Sequence, residues 1–115
     1  MITLYGIPNC NTVKKARQFL ETHAIEYQFH DFKKQGTDAS KLQSWCDAFG
    51  WEKVVNRAGM TWRKLDDDTK ASITNDSSAI ALCEEKPSII KRPILEIDGT
   101  AKTLGFKEEV YKELF

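Results

Sequence analysis

The chain has 115 residues, 41% of them hydrophobic and 30% charged, which suits one soluble globular domain with a modest core. Seventeen basic side chains balance seventeen acidic ones, so no global field draws the protein to nucleic acid or an anionic membrane, and any anion site must be local. Three cysteines at wide spacing (Cys10, Cys46 and Cys83) fit neither a secreted disulfide framework nor a paired-ligand zinc site. The longest apolar runs fall far short of a membrane span. Met1 to Gly6 enters a folded pattern at once, without the basic and apolar regions of a leader, so the expected compartment is the reducing cytoplasm.

Ile2-Thr3-Leu4-Tyr5 reads as a short strand of β-branched and aromatic residues, and Gly6-Ile7-Pro8-Asn9 as the loop that ends it. From Asn11 to about His23, Val13, Ala16, Phe19 and Leu20 recur at helical spacing, with Lys14, Lys15, Arg17 and Gln18 on the wet side. Residues 25–32 alternate with period two, which predicts a strand with one buried face. Strand, helix and strand make a βαβ unit.

The middle changes character. A helix capped near Asp38 is expected to bury Leu42, Trp45, Cys46 and Phe49, and Trp51 to Asn56 reads as a connection. Thr61 to Ile73 predicts a further helical stretch. Ser77 or Ser78 is expected to cap a helix that carries Ile80, Ala81 and Cys83 and stops at Pro87. Residues 38–86 thus form a helical insertion within a single domain spanning 1–115, because no linker composition flanks them.

Strands then return. Pro93 to Ile97 and Ala101 to Leu104 flank Asp98-Gly99-Thr100, a hairpin signal because Asp-Gly suits a primed turn. A last helix, Lys107 to Leu114, is expected to face Val110, Tyr111 and Leu114 inward. The resulting order, βαβ, helices, ββα, is an α/β fold with a mixed sheet.

Cys10 is the residue that carries chemistry. Only a thiolate is a useful nucleophile, and an ordinary cysteine near pKa ~8.5 is a few per cent ionised at neutral pH. Cys10 follows a strand and loop and precedes a helix, where free N–H groups and the positive end of the dipole converge. Thr12, Lys14 and Lys15 lie in the first turns, where a hydroxyl or an ammonium can serve a thiolate or a bound anion. A buried structural thiol is the alternative for Cys10, and it is the preferred reading for Cys46 and Cys83 on their apolar helix faces. Position 13, where a C-x-x-C motif needs its second thiol, is Val13. A lone thiolate forms a mixed disulfide that an outside thiol must resolve, with glutathione the obvious cytoplasmic candidate.

Lys91-Arg92-Pro93 immediately precedes the hairpin. A cis bond at Pro93 would suit a tight turn, and Arg92 is then either a planar fork facing the thiolate or a solvated surface group. Arg57 and Arg63 read more readily as surface residues. Asp66-Asp67-Asp68 reads as a helix N-terminal charge run, His23 and His30 as structural residues, and Trp45, Trp51 and Trp62 as packing.

Tyr5 to Arg17, with Tyr27 to Asp31 and Lys86 to Pro93, resembles the ArsC/Spx family, and within it the YffB-like branch. The resemblance covers essentially the whole chain and implies a thioredoxin-like fold with a helical insertion. It matches the family's catalytic cysteine to Cys10 and its arginine before a cis-proline to Arg92-Pro93, with Arg57 at a plausible equivalent of a further oxyanion-binding arginine. The implied activity is glutathione-dependent thiol–disulfide reduction by a single cysteine. The alternatives are arsenate reduction with glutathione and glutaredoxin, and a non-catalytic Spx-like regulator that binds RNA polymerase. The expected catalytic pair is Cys10 and Arg92, with Asn11, Thr12, Lys14, Arg57, Lys91 and Pro93 holding substrate or glutathione. The expected co-substrate is glutathione, the further partners a small thiol or disulfide and glutaredoxin, and the expected state a monomer with no bound cofactor or metal.

Overall fold

The computed structural model describes all 115 residues, Met1–Phe115. The chain forms two compact units: Met1–Gln35 with Arg92–Phe115, and Gly36–Lys91. The first carries the sheet, made of β1 (Ile2–Gly6), β2 (Gln28–Asp31), β3 (Ile94–Ile97) and β4 (Thr100–Leu104), in the order β2-β1-β3-β4. Helix α1 (Asn11–Thr22) links β1 to its parallel neighbour β2, whereas β3 runs antiparallel to both β1 and β4, so the sheet is mixed. A helical turn, α2 (Phe32–Gln35), follows β2, and α8 (Glu108–Leu114) ends the chain.

Register explains the core. Leu4 pairs with Phe29 on one side and Leu95 on the other, so all three share one face of the sheet. Leu4 and Leu95 pack with Ala16, Phe19 and Leu20 of α1 and Tyr111 of α8. Phe19 and Phe106 meet the Tyr111 ring edge-on, at 5.5 and 4.7 Å between centroids. On the opposite face Tyr5 donates a buried hydrogen bond to Glu96 Oε1 at 3.1 Å, which supplies a partner for a carboxylate only 2% exposed.

The strand expected over 25–32 is shorter. Ile25, Tyr27 and Phe29 do lean on the core, but only Gln28–Asp31 joins the ladder. Phe32 already begins α2, because the Asp31 carboxylate accepts the Lys33 N–H at 2.9 Å and starts a helical turn. The hairpin turn matches expectation: Asp98 and Gly99 have φ of 52° and 80°, the primed geometry that fits strand twist.

The second unit contains α3 (Ala39–Phe49), α4 (Trp51–Val54), α5 (Met60–Arg63), α6 (Asp67–Ser72) and α7 (Asp76–Glu85), then a 3₁₀ turn at Pro87–Ile89. Asp38 caps α3 by accepting the Ser40 N–H, and Leu42, Trp45 and Cys46 are buried while Phe49 is half-buried. The segment expected as a connection, Trp51 to Asn56, begins with the turn α4. The single helical stretch expected over 61–73 is broken in two, because the Asp66 side chain accepts the Thr69 N–H at 2.7 Å and restarts a helix. Helix α7 is capped by Asn75 rather than Ser77 or Ser78; Ser78 supplies the reciprocal half of a capping box. Its buried residues are Ala79, Leu82 and Cys83, with Ile80 half-buried and Ala81 exposed.

Candidate active site around Cys10

The site is assembled at the end of β1. Gly6 closes the strand, and its bare Cα lies under Val13: a Cβ there would stand 2.8 Å from Val13 Cγ2. This close approach seats the first turn of α1 against the strand end. Cys10 is the N-cap, with extended backbone (φ −118°, ψ 125°), and its carbonyl accepts the first helical N–H, from Lys14, at 2.9 Å.

The half-buried Cys10 thiol is displaced below its ordinary pKa. Burial is the largest single influence and works the other way, penalising the thiolate. It is outweighed by the Val13 N–H, by hydrogen bond and charge from the Arg92 guanidinium, and by the Thr12 N–H. In the thiol form the sulfur makes no formal cap bond. The amides matter for the anion, to which sulfur offers a large and diffuse acceptor.

Arg92 reaches this point from the other end of the chain. It is half-buried and joined to Pro93 by a cis peptide, and the Pro93 carbonyl accepts the Gly105 N–H at 2.8 Å. Gly105 has a φ of 81°, a left-handed conformation that glycine adopts without strain, so it can turn out of β4 and still hold Pro93. The half-buried Arg92 guanidinium lies close enough to the Cys10 sulfur to lower its pKa by hydrogen bond and charge.

Of the residues singled out in the sequence, Cys10, Thr12 and Arg92 come together, and Pro93 is buried. Thr12 contributes its amide to the sulfur. Asn11 and Lys14 are exposed in the first turns of α1, and Lys14 lines a groove beside Pro8. Arg57 and Lys91 belong to the second unit: the Arg57 guanidinium lies 5.7 Å from the Trp51 ring centre, and the Lys91 N–H donates to the Val54 carbonyl. Three contributors escaped sequence reasoning. The Val13 amide is invisible in a side-chain alphabet, and Gly6 and Gly105 left only the faint signal of a glycine at each strand end.

The other cysteines behave differently. Burial pushes the Cys46 thiol up to about 11 and the Cys83 thiol up to about 12, with Asp76, Asp47 and Glu52 adding to the effect at Cys46. Both are neutral thiols at pH 7. His23 is structural, its Nδ1 2.9 Å from the Phe19 carbonyl and its ring stacked on Phe19.

The family model described as the ArsC family matches residues 5–114. The chain belongs to the ArsC family. The solved structure of the YFFB (PA3664) protein superposes with a TM-score of 0.92 at 45% identity, covering 98% of this chain and 97% of that one. An arsenate reductase (ArsC) related protein from Brucella melitensis superposes with a TM-score of 0.78 at 46% identity, covering 97% and 92%. An uncharacterized protein of Haemophilus influenzae is 44% identical over all of this chain and 99% of its own length. The fold is accordingly the thioredoxin-like fold of ArsC-type proteins, and the chain is arsenate reductase-related.

Proposed function

We propose that this chain is a glutathione-dependent thiol–disulfide reductase working through the single thiolate of Cys10. The observation that carries the reading is the convergence on one sulfur of two backbone amides and the Arg92 guanidinium, with Val13 where a second thiol would stand. Such a thiolate attacks the glutathione sulfur of a mixed disulfide. One S–S bond breaks, the substrate thiolate leaves and takes a proton from water, and a Cys10–glutathione disulfide remains. A free glutathione thiolate attacks that adduct, freeing Cys10 and releasing oxidised glutathione, so each mixed disulfide reduced consumes one glutathione, whose sulfur joins the glutathionyl group taken from the substrate. Arg92 and cis-Pro93 orient the glutathione, and Asn11, Thr12 and Lys14 line the approach of the substrate to the sulfur. The reading also takes the reducing cytoplasm as the compartment; no helix is long and apolar enough to cross a membrane.

The test is to incubate the protein with oxidised glutathione and weigh it intact. One glutathionyl group on wild type and none on Cys10→Ser is expected; an unmodified Cys10 would sink the mechanism.

A second reading, arsenate reduction with glutathione and glutaredoxin, draws on the same thiolate beside a guanidinium, since that pair also suits an oxyanion. The strand β4 supplies only the exposed Lys102 as a further cation. Arsenate turnover equal to that of Cys10→Ser rules this reading out.

A further inference from the structure

We propose that Arg17 and Lys14 form a carboxylate-binding subsite beside Cys10, which takes an acidic side chain on the peptide half of a glutathione mixed disulfide. The inference rests on the thiol–disulfide reading above and names the substrate class for it. Lys14 and Arg17 share one stripe of α1, four and seven residues beyond the N-cap Cys10. They line a groove of about 410 Å³ that begins at Pro8, in the loop leading to Cys10, and continues past Gln18 to Glu21 and Thr22.

The state of Arg17 is what makes this a site and not a basic stripe. Its Nε donates to the Tyr27 hydroxyl at 2.9 Å, and its guanidinium carbon lies 4.2 Å from the centre of the Phe29 ring. Two partners from the β2 region thus immobilise a half-buried guanidinium whose terminal Nη groups take no protein acceptor and no ion pair. Glu21, four residues on, does not satisfy them; its Oε2 lies 3.4 Å from the same Tyr27 hydroxyl. An immobilised fork with free parallel donors is complementary to a carboxylate, and the ordering cost is already met within the fold. Lys14 adds a mobile positive charge between the fork and the sulfur.

Spacing sets the register. Seven helical residues span about 10 Å, the length of about three residues of extended peptide, so the acidic side chain belongs within three positions of the substrate cysteine. Farther out, Glu21 repels a second acidic group. With glutathione on the Arg92 side of Cys10, the departing peptide thiolate is the half that meets this groove.

The probes are two short peptides with Glu or Gln two residues from a glutathionylated cysteine, and their thiol-free counterparts with serine in place of that cysteine. For the glutathionylated pair, wild type should favour the Glu peptide about three- to tenfold in kcat/KM at low salt. Arg17→Gln should bring the ratio close to one, and Lys14→Gln should lower it, with Lys14 exposed enough to leave folding intact. A ratio of one in wild type, or an undiminished ratio in both variants, overturns the subsite. Independently of any turnover, NMR of the Arg17 Nε–H should move with the thiol-free Glu peptide and not with the Gln peptide. Equal movement, or none, overturns the proposal. Selective movement without turnover keeps the subsite while the glutathione mechanism falls.

Discussion

The Val13 side chain lies on the bare Cα of Gly6, so close that a Cβ at Gly6 would be 2.8 Å from Val13 Cγ2. Val13 is fully buried, and the same residue offers its amide to the Cys10 sulfur. Packing at the strand end and ionisation of the thiol are therefore coupled. Gly6→Ala should displace the first turn of α1, costing about 1–3 kcal/mol as overpacking does. Chemical denaturation measures that loss. The pH dependence of alkylation should report a Cys10 pKa moved upward; an unchanged profile would show the amide had not moved.

Arg92→Ala should raise the Cys10 pKa and slow reaction of the thiol with glutathione disulfide at neutral pH by about tenfold or more, since hydrogen bonds to charged groups are worth about 1.5–3 kcal/mol. Arg92→Lys should restore part of the charge without the planar fork. Binding should suffer more than melting temperature, and equal loss of both would assign Arg92 a structural role.

The three thiols should separate by reactivity. In the native protein at pH 7 an alkylating reagent should label Cys10 alone, with Cys46 and Cys83 reacting only after unfolding. Peptide mapping checks this.

Linkage gives opposite signs for the two classes of thiol. Cys10 is more acidic folded than unfolded, so it adds stability above the ordinary thiol pKa and loses that contribution as pH falls through its folded value. Cys46 and Cys83 hold their protons up to about 11 and about 12 when folded. The unfolded chain gives them up near pH ~8.5, so their burial should weaken the fold as pH rises above that. Denaturation of wild type and Cys10→Ser across alkaline pH should show both: a shared decline, and a relative advantage of wild type that grows with pH until the unfolded thiol ionises.

Helix α1 ends on Ala24 at φ 54°, where the Ile25 N–H reaches back to the Leu20 carbonyl at 2.9 Å. Glycine is the usual occupant of this left-handed position. Ala24→Gly should stabilise the protein by about 0.5–1 kcal/mol, read from the denaturation midpoint.

Much of the first unit was legible because its signals are local. The Val13, Ala16, Phe19, Leu20 stripe and the Asp98-Gly99 turn each declare themselves within a few residues, and both appear as expected. Cys10 was legible for the same reason: a strand, a loop and a helix start are all readable, and their junction is where amides point. The errors arose where a short polar side chain outcompeted periodicity. Asp31, Asp66 and Asn75 each bond a nearby amide, so a strand stops early, a helix breaks and a cap shifts. The pairing of Cys10 with Arg92 spans 82 positions (92 − 10) and depends on sheet register, so the residues alone left Arg92 open between fork and surface group.

Because Cys10 is both nucleophile and helix cap, part of what acidifies it is main chain. Amides at Thr12 and Val13 persist under almost any substitution that keeps the turn; proline alone would delete one. The side chains at these positions are thereby free to diverge among descendants of this fold without extinguishing the nucleophile. Substrate preference can drift around a reactive centre whose acidity is inherited with the backbone.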